Sequence, residues 1–440
     1  KTFSAYAGLE FSPFQTGTVH RQVNTGASYE EAYARFLRED AFTFYTYSWQ
    51  NTDVVCGENT VDCIDHDQFM ISKTTYPADD TDARIRFYDG YLEDSISWKK
   101  LTVRPGVRIS YDDLQKNSNW AHRFAVEYDV FGDQKSILFT GHNRYYGKTL
   151  LTLALNENRK SYINERRPIS LDGTSPSAWY IKDRTSISAD RLSGLKTPYT
   201  DEAVVGLEQQ FFGGPLILTY LERRSKDELA TTVLDIDPET LYKYSEWTND
   251  GRSQHKEASL SWERSWQSHY LLLTATWQET ETSHNNYYER ADDPDDNLDG
   301  IADMVWYDGE LLDRDELPRP DYNRDVVATL TYIGKLPYNF TFTNVTRYRS
   351  GYEALQLDRD ADPKIIPGVP YEVDVYDIIS QPESWIFDWR LDWEHAVTDK
   401  QQLVVSLEVN NVFNQKVLSG ESIDVYDLGR QFWVGMDYSF

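Results

Sequence analysis

The sequence predicts an all-β protein that crosses a membrane as an antiparallel barrel. Three observations carry this. The chain is polar on average yet rich in aromatics, with 31 Tyr, 13 Trp and 19 Phe among 440 residues and a formal net charge of -28. Apolar and polar residues alternate with a period of two in segment after segment. The turns between segments come in two sizes, short on one side and long on the other. A barrel wall explains all three: one face of each strand meets lipid, the other meets water, and aromatic girdles mark the two interfaces.

Composition excludes other classes. A helical span needs about 18 consecutive apolar residues, and stretches such as Leu271–Leu273 are only a few residues long. Phosphate backbones demand Lys/Arg-rich runs; none occurs, so nucleic acid is not an expected partner. The two cysteines, Cys56 and Cys63, flank a polar stretch. A small disulfide-closed loop in an oxidising compartment is one reading, two free thiols the other. The chain starts at Lys1 rather than Met and shows no signal peptide, which for an exported protein implies a processed or truncated N-terminus.

The elements follow in order. Strands are expected near 2–12, 83–97, 100–112, 120–131, 135–147, 199–211, 215–228, 256–265, 269–280, 323–334, 338–350, 384–396, 401–413 and 431–440, about 14 in all by alternation. Leu101, Val103, Val107 and Ile109 share one face, against Thr102, Arg104, Gly106 and Arg108. Phe124, Val126 and Tyr128 alternate with Arg123, Ala125 and Glu127. Trp385, Phe387, Trp389, Leu391 and Trp393 oppose Asp388, Arg390, Asp392 and Glu394. Leu403, Val405, Leu407 and Val409 alternate with Val404, Ser406, Glu408 and Asn410, and the chain ends on Phe432, Val434, Met436, Tyr438 and Phe440. Short turns lie near Lys99–Lys100, Gly132–Gln134, Gly213–Gly214, Trp266–Ser268, Gly334–Pro337 and Thr398–Lys400. Long loops are expected at about 13–82, 148–197, 281–320 and 352–381, all extracellular. Counting back from an inward last strand makes the first strand run outward. The Cys56–Cys63 segment then lies outside, as does the strand-like 41–49. The charged residues Arg104, Arg108, Arg123, Glu127, Asp388, Arg390, Asp392, Glu394 and Glu408 are assigned to the lumen face, as cross-strand pairs wetting the wall.

Several segments resemble the TonB-dependent transporter family, specifically its Oar-like branch. RFAVEYDVFGDQKSILFTGHNRYY (123–146) is similar to that branch's hairpin around a Phe-Gly-Asp turn. LKTPYTDEAVVGLEQQF (195–211) is similar to its strand entered through Pro-Tyr-Thr-Asp-Glu, and NNVFNQKV (410–417) to the Asn-hydrophobic-Phe-Asn segment before the last strand. The terminal Phe440 resembles the barrel-assembly signal. The resemblance covers most of the chain and implies energised uptake of an unidentified extracellular ligand across the bacterial outer membrane, with TonB acting through a plug domain. Such barrels have about 22 strands. Neither plug nor TonB-contacting box is legible here, so the chain is expected to supply strands nine to twenty-two, with plug and early strands on a missing N-terminal part or a partner chain. The alternative is a structural or secretion-associated outer-membrane barrel without active uptake.

One loop motif points to a metal. Asp295-Asp296-Asn297-Leu298-Asp299-Gly300-Ile301-Ala302-Asp303 has the form D-x-N-x-D-G-x-x-D. Oxygens at alternate positions converge on one ion when Gly permits the sharp turn. Asp295, Asn297, Asp299 and Asp303, with the Ile301 carbonyl, would ligate Ca2+. Trp306 stands where the usual twelfth-position Glu would be, and Asp308 or Glu310 is a distant substitute. A solvated acidic loop is the other reading, and Asp358, Asp360 and Asp362 are a weaker candidate. No G-x-S-x-G, H-E-x-x-H or phosphate-binding glycine loop occurs, so no catalysis is expected.

Overall fold

The computed structural model describes residues 1–47, 52–57, 61–148, 151–167, 178–186, 192–233, 237–283, 304–313, 317, 324–358, 364–365, 372–398, 400–418 and 426–440. Among them fifteen strands pair successively, all antiparallel, into one wall. They are β1 (Thr2–Glu10), β2 (Val19–Arg38), β3 (Asp79–Trp98), β4 (Leu101–Asp112), β5 (Ser118–Asp129) and β6 (Ser136–Tyr146). There follow β7 (Tyr199–Phe211), β8 (Gly214–Val233), β9 (Tyr242–Trp266), β10 (His269–Thr282) and β11 (Val326–Leu336). The last are β12 (Phe340–Arg349), β13 (Ser384–Thr398), β14 (Gln401–Asn410) and β15 (Gln431–Ser439).

One expectation is corrected here. Residues 19–38, expected within an external loop spanning 13–82, form β2, which pairs along its whole length with β3. The count rises from fourteen to fifteen, and the parity changes. With short turns at the periplasmic end, β15 runs inward and β1 also runs inward, not outward. The Cys56–Cys63 segment keeps its external place between β2 and β3. The misreading has a physical cause. Around Thr25-Gly26-Ala27-Ser28 both faces carry small residues, so the apolar contrast that marks a strand disappears, and cross-strand pairing holds the segment instead.

The faces follow from register. Tyr29, Tyr88 and Tyr111 form a ladder across β2, β3 and β4, with ring centroids 5.3 and 6.2 Å apart. On the outward face of β3, Trp98 at the turn and Tyr88 ten residues on bracket a span of the length a tilted membrane strand needs, about 9–11 residues. On β13 the outward row is Trp385, Phe387, Trp389, Leu391 and Trp393, with Tyr348–Trp385 rings 4.6 Å apart. Beyond the upper girdle, the outward face turns charged: Arg86 bonds Glu31 at 2.9 Å, and Arg144 bonds Asp201 at 2.7 Å.

Four strands overrun the bilayer. β2, β3 and β8 have 20 residues each and β9 has 25, so their outer halves stand beyond the lipid. Around them the external segments build two further sheets. In one, Phe42–Tyr47, Gln68–Tyr76, Tyr162–Arg166 and Tyr180–Ser186 pair in series, and the last joins the start of β9 in parallel. In the other, Met304–Tyr307, Glu310–Asp313, Tyr352–Leu357, Lys364–Ile365 and Glu372–Gln381 associate.

Candidate functional site: the outer mouth of the lumen

The lumen face of β3–β6 turns inward the residues that alternate with the lipid-facing row. Asp89 pairs across from Ser110, and Arg108 from Ala121. Near the outer mouth these side chains line a cavity of about 260 Å3 with Phe87, Asp112, Arg123, Tyr145 and Lys148. Its polar groups are mostly matched. Arg108 lies 2.9 Å from Asp89, and Lys148 reaches Glu30 at 2.6 Å. Beside the cavity Glu202 accepts from Arg223 at 2.8 Å, Tyr145 at 3.2 Å and Asn143 at 3.3 Å. Arg123 is the exception. Its guanidinium lies 5.3 Å over the Tyr145 ring, makes no carboxylate contact among the described residues, and leaves its Nε without a hydrogen-bond partner.

A short helix, α1 (Leu151–Glu157), covers this region from within the long segment between β6 and β7. Its Ala154 packs on Ala83, Ile85 and Phe87 of β3. Its Leu153, 1% exposed, packs with Leu192, Leu229 of β8 and Trp247 of β9. One turn of helix therefore touches walls five strands apart. Burying Leu153 and Ile85 contributes on the order of 1.5–3 kcal/mol each. The helix is tied down at its end by Asp79, at the far outer tip of β3 and well outside the lipid band. That carboxylate accepts from the Thr81 hydroxyl at 2.6 Å and the Lys160 backbone N–H at 3.1 Å. Burial pushes its pKa up, but these bonds and the charges of Arg159 and Lys160 outweigh it and hold the carboxyl below its ordinary value.

The disulfide is present: Cys56 and Cys63 are bonded. They sit in a small core with Val54 and Phe69. Arg167 fastens this hairpin to the external sheet. Its side chain is 3% exposed and lies 2.8 Å from the Asp62 carboxylate; it donates to the Asp62 carbonyl at 3.0 Å and stacks 4.4 Å from the Trp179 ring. Trp179 Nε1 donates to the other Asp62 oxygen at 3.0 Å. No local pattern announces this cluster, because Asp62 lies more than 100 residues from Arg167 and Trp179.

The remaining expected residues fall as follows. Arg104 pairs with Glu127 at 2.6 Å, Arg390 with Asp392 at 2.9 Å and with Glu408 at 4.0 Å. Asp388 is bonded by Arg347, and Glu394 accepts from Gln402 at 3.3 Å. All but Arg390–Asp392, which lies within β13, are the cross-strand pairs expected of a wet wall. Asp295, Asn297, Asp299, Ile301 and Asp303 lie outside the described residues, as do Asp360 and Asp362. Asp308 and Gly309, both at positive φ, form the two-residue turn between Met304–Tyr307 and Glu310–Asp313, the chemistry of a type I′ hairpin. Among the described residues no group of three or more metal-ligating side chains converges.

Comparison with known proteins fits this geometry. No family model matches. A protein of Escherichia coli K12, YddB, described as uncharacterized, is 26% identical over 447 residues, covering 98% of this chain and 51% of its own length. The crystal structure of the outer membrane transporter YddB from Escherichia coli superposes with a TM-score of 0.72 at 23% identity, over the whole of this chain and 54% of that one. The ferric enterobactin receptor PfeA of Pseudomonas aeruginosa superposes at 0.60 with 12% identity, again over the whole of this chain and 54% of its own. The ferric citrate transporter FecA gives 0.51 at 11% identity. The chain spans about half the length of the curated relative it matches. The wall has the fold of the barrel half of outer-membrane TonB-dependent transporters.

Proposed function

We propose that this wall belongs to a TonB-dependent receptor that imports an extracellular ligand carrying negative charge. The observation that carries the proposal is the lumen cavity at the outer mouth, where Arg123 faces in without a carboxylate partner among the described residues. External segments folded over that mouth supply first contact, and the lumen supplies the path. Two of the similar structures are named for ferric enterobactin and ferric citrate, which fits an anionic cargo. In a 22-stranded barrel the fifteen strands would be the eighth to the twenty-second. The eighth runs inward, as β1 does. The plug that meets TonB, and the strands that close the wall, would lie on further sequence or a partner chain.

The test is uptake by cells producing the full-length protein, across radiolabelled ferric enterobactin, ferric citrate and other anionic complexes. Uptake of one ligand should stop with a protonophore. Arg123→Ala should lower it about tenfold at subsaturating ligand, the loss of one charge-assisted bond. Uptake indifferent to the protonophore, or to deletion of the protein, would favour a structural or secretion-associated barrel.

Calcium at Asp295, Asn297, Asp299, Ile301 and Asp303 is part of the same proposal, as a stiffener of the external segments. Terbium should bind there and be sensitised by the nearby Trp306. Asp299→Asn should abolish that luminescence; an unchanged signal would leave the segment a solvated loop.

A further inference from the structure

On β8, β9 and β10 the lipid-facing row ends at Tyr220 and Trp277, each 40% exposed. The next outward residues neutralise one another, Arg224 with Glu222 at 2.7 Å and Lys256 with Glu279 at 3.1 Å. Immediately above lies a concave site of about 370 Å3, lined on its outward side by Arg224, Lys226, Arg252, Gln254 and Glu281. Two of its three cations are unmatched: among the described residues the side chains of Lys226 and Arg252 have no ion pair or hydrogen bond. The concavity comes from a break in register between Ser225 and Glu228 of β8, with Asp227 at φ 53. Such a bulge re-aims side chains. Asp227 itself is engaged elsewhere, by Lys196 at 3.3 Å, and does not neutralise Lys226.

We propose that this outer-wall pocket binds the phosphorylated headgroup of a lipid in the outer leaflet. Its height fits. Arg224 is four residues beyond Tyr220, about 13 Å along the strand and roughly 9 Å higher at a 45° tilt, within the headgroup layer outside the hydrocarbon. Its chemistry fits as well, since Arg and Lys together match a phosphate's charge and oxygen geometry. The inference rests on the barrel fold alone and is independent of transport.

The experiment uses the full-length protein in detergent, stripped of lipid, with purified lipopolysaccharide, enzymatically dephosphorylated lipopolysaccharide and inorganic phosphate as probes. Lipopolysaccharide should bind and raise the thermal midpoint. Dephosphorylated lipopolysaccharide should bind at least tenfold more weakly. The double variant Lys226→Gln/Arg252→Gln should weaken binding about 25-fold, some fivefold per cation, while Arg123→Ala leaves it unchanged. Equal binding of both lipopolysaccharides, or an unaffected double variant, overturns the proposal. Inorganic phosphate displacing nothing at millimolar concentration supports the lipid; phosphate binding as tightly as the lipid makes this a free-anion site and overturns the lipid assignment. If the double variant does not fold, the comparison of the two lipopolysaccharides on the unaltered protein still decides.

Discussion

Arg167 shows how one residue can hold an external segment. Its guanidinium is buried against Asp62 and Trp179, and removing either charged partner strands the other in a dry site. Breaking such a pair costs about 3–5 kcal/mol. Asp62→Ala should therefore open the 52–76 region to protease while the wall stays intact, and intact resistance would show that the pair is dispensable. Reducing Cys56–Cys63 should add to this, at about 2.5 kcal/mol for so small a loop, seen as faster proteolysis of the same segment in reductant. At Asp79 the sign follows from its lowered folded pKa. The carboxylate contributes stability above its unfolded value, near 4, and that contribution is lost as pH falls through the folded value. Amide exchange around Lys160, corrected for intrinsic rates, should rise below about pH 4 in the native protein and be indifferent to pH in Asp79→Asn.

At the scale of elements, α1 is seven residues long, too short to be stable by itself. Packing against β3 on one side and β8–β9 on the other makes it a helix. Leu153→Ala should cost about 2–5 kcal/mol locally. The result should be loss of protection over 151–157 with no change in the barrel's thermal midpoint, and a shared loss would mean that α1 and the wall unfold together. The turn at Phe212–Gly213 is the element most dependent on one residue. Both have positive φ, 47 and 77, as a two-residue hairpin twisted with its strands requires. Gly213→Val should slow assembly of the β7–β8 hairpin, measured as the rate at which the heat-modifiable band appears on gels.

At the largest scale, the described residues form an open wall. β1 and β15 do not pair with each other among the described residues, and both are exposed along nearly their whole length. Long unpaired edges template association. Residues 1–440 produced alone should therefore aggregate on refolding; a stable, heat-modifiable monomer from 1–440 would show that the wall closes by itself.

The sequence by itself determined the wall. Alternation named the lipid face of β13, from Trp385 to Trp393, and the charges behind it, because a strand puts successive residues on opposite faces whatever surrounds it. It also placed Cys56 and Cys63 outside. What alternation cannot see is any strand that lacks two chemically distinct faces. β2 was lost where small residues lie on both sides, and residues 242–255 of β9 and 229–233 of β8 were lost beyond the end of the lipid-facing row, where no regular apolar side marks a strand. Only the tertiary structure decided the rest. Asp62, Arg167 and Trp179 meet across more than 100 residues, α1 folds because two distant walls trap it, and Lys226 and Arg252 share a pocket because a bulge turns β8. Each depends on which strands lie side by side, and that is set by long-range pairing rather than by local pattern.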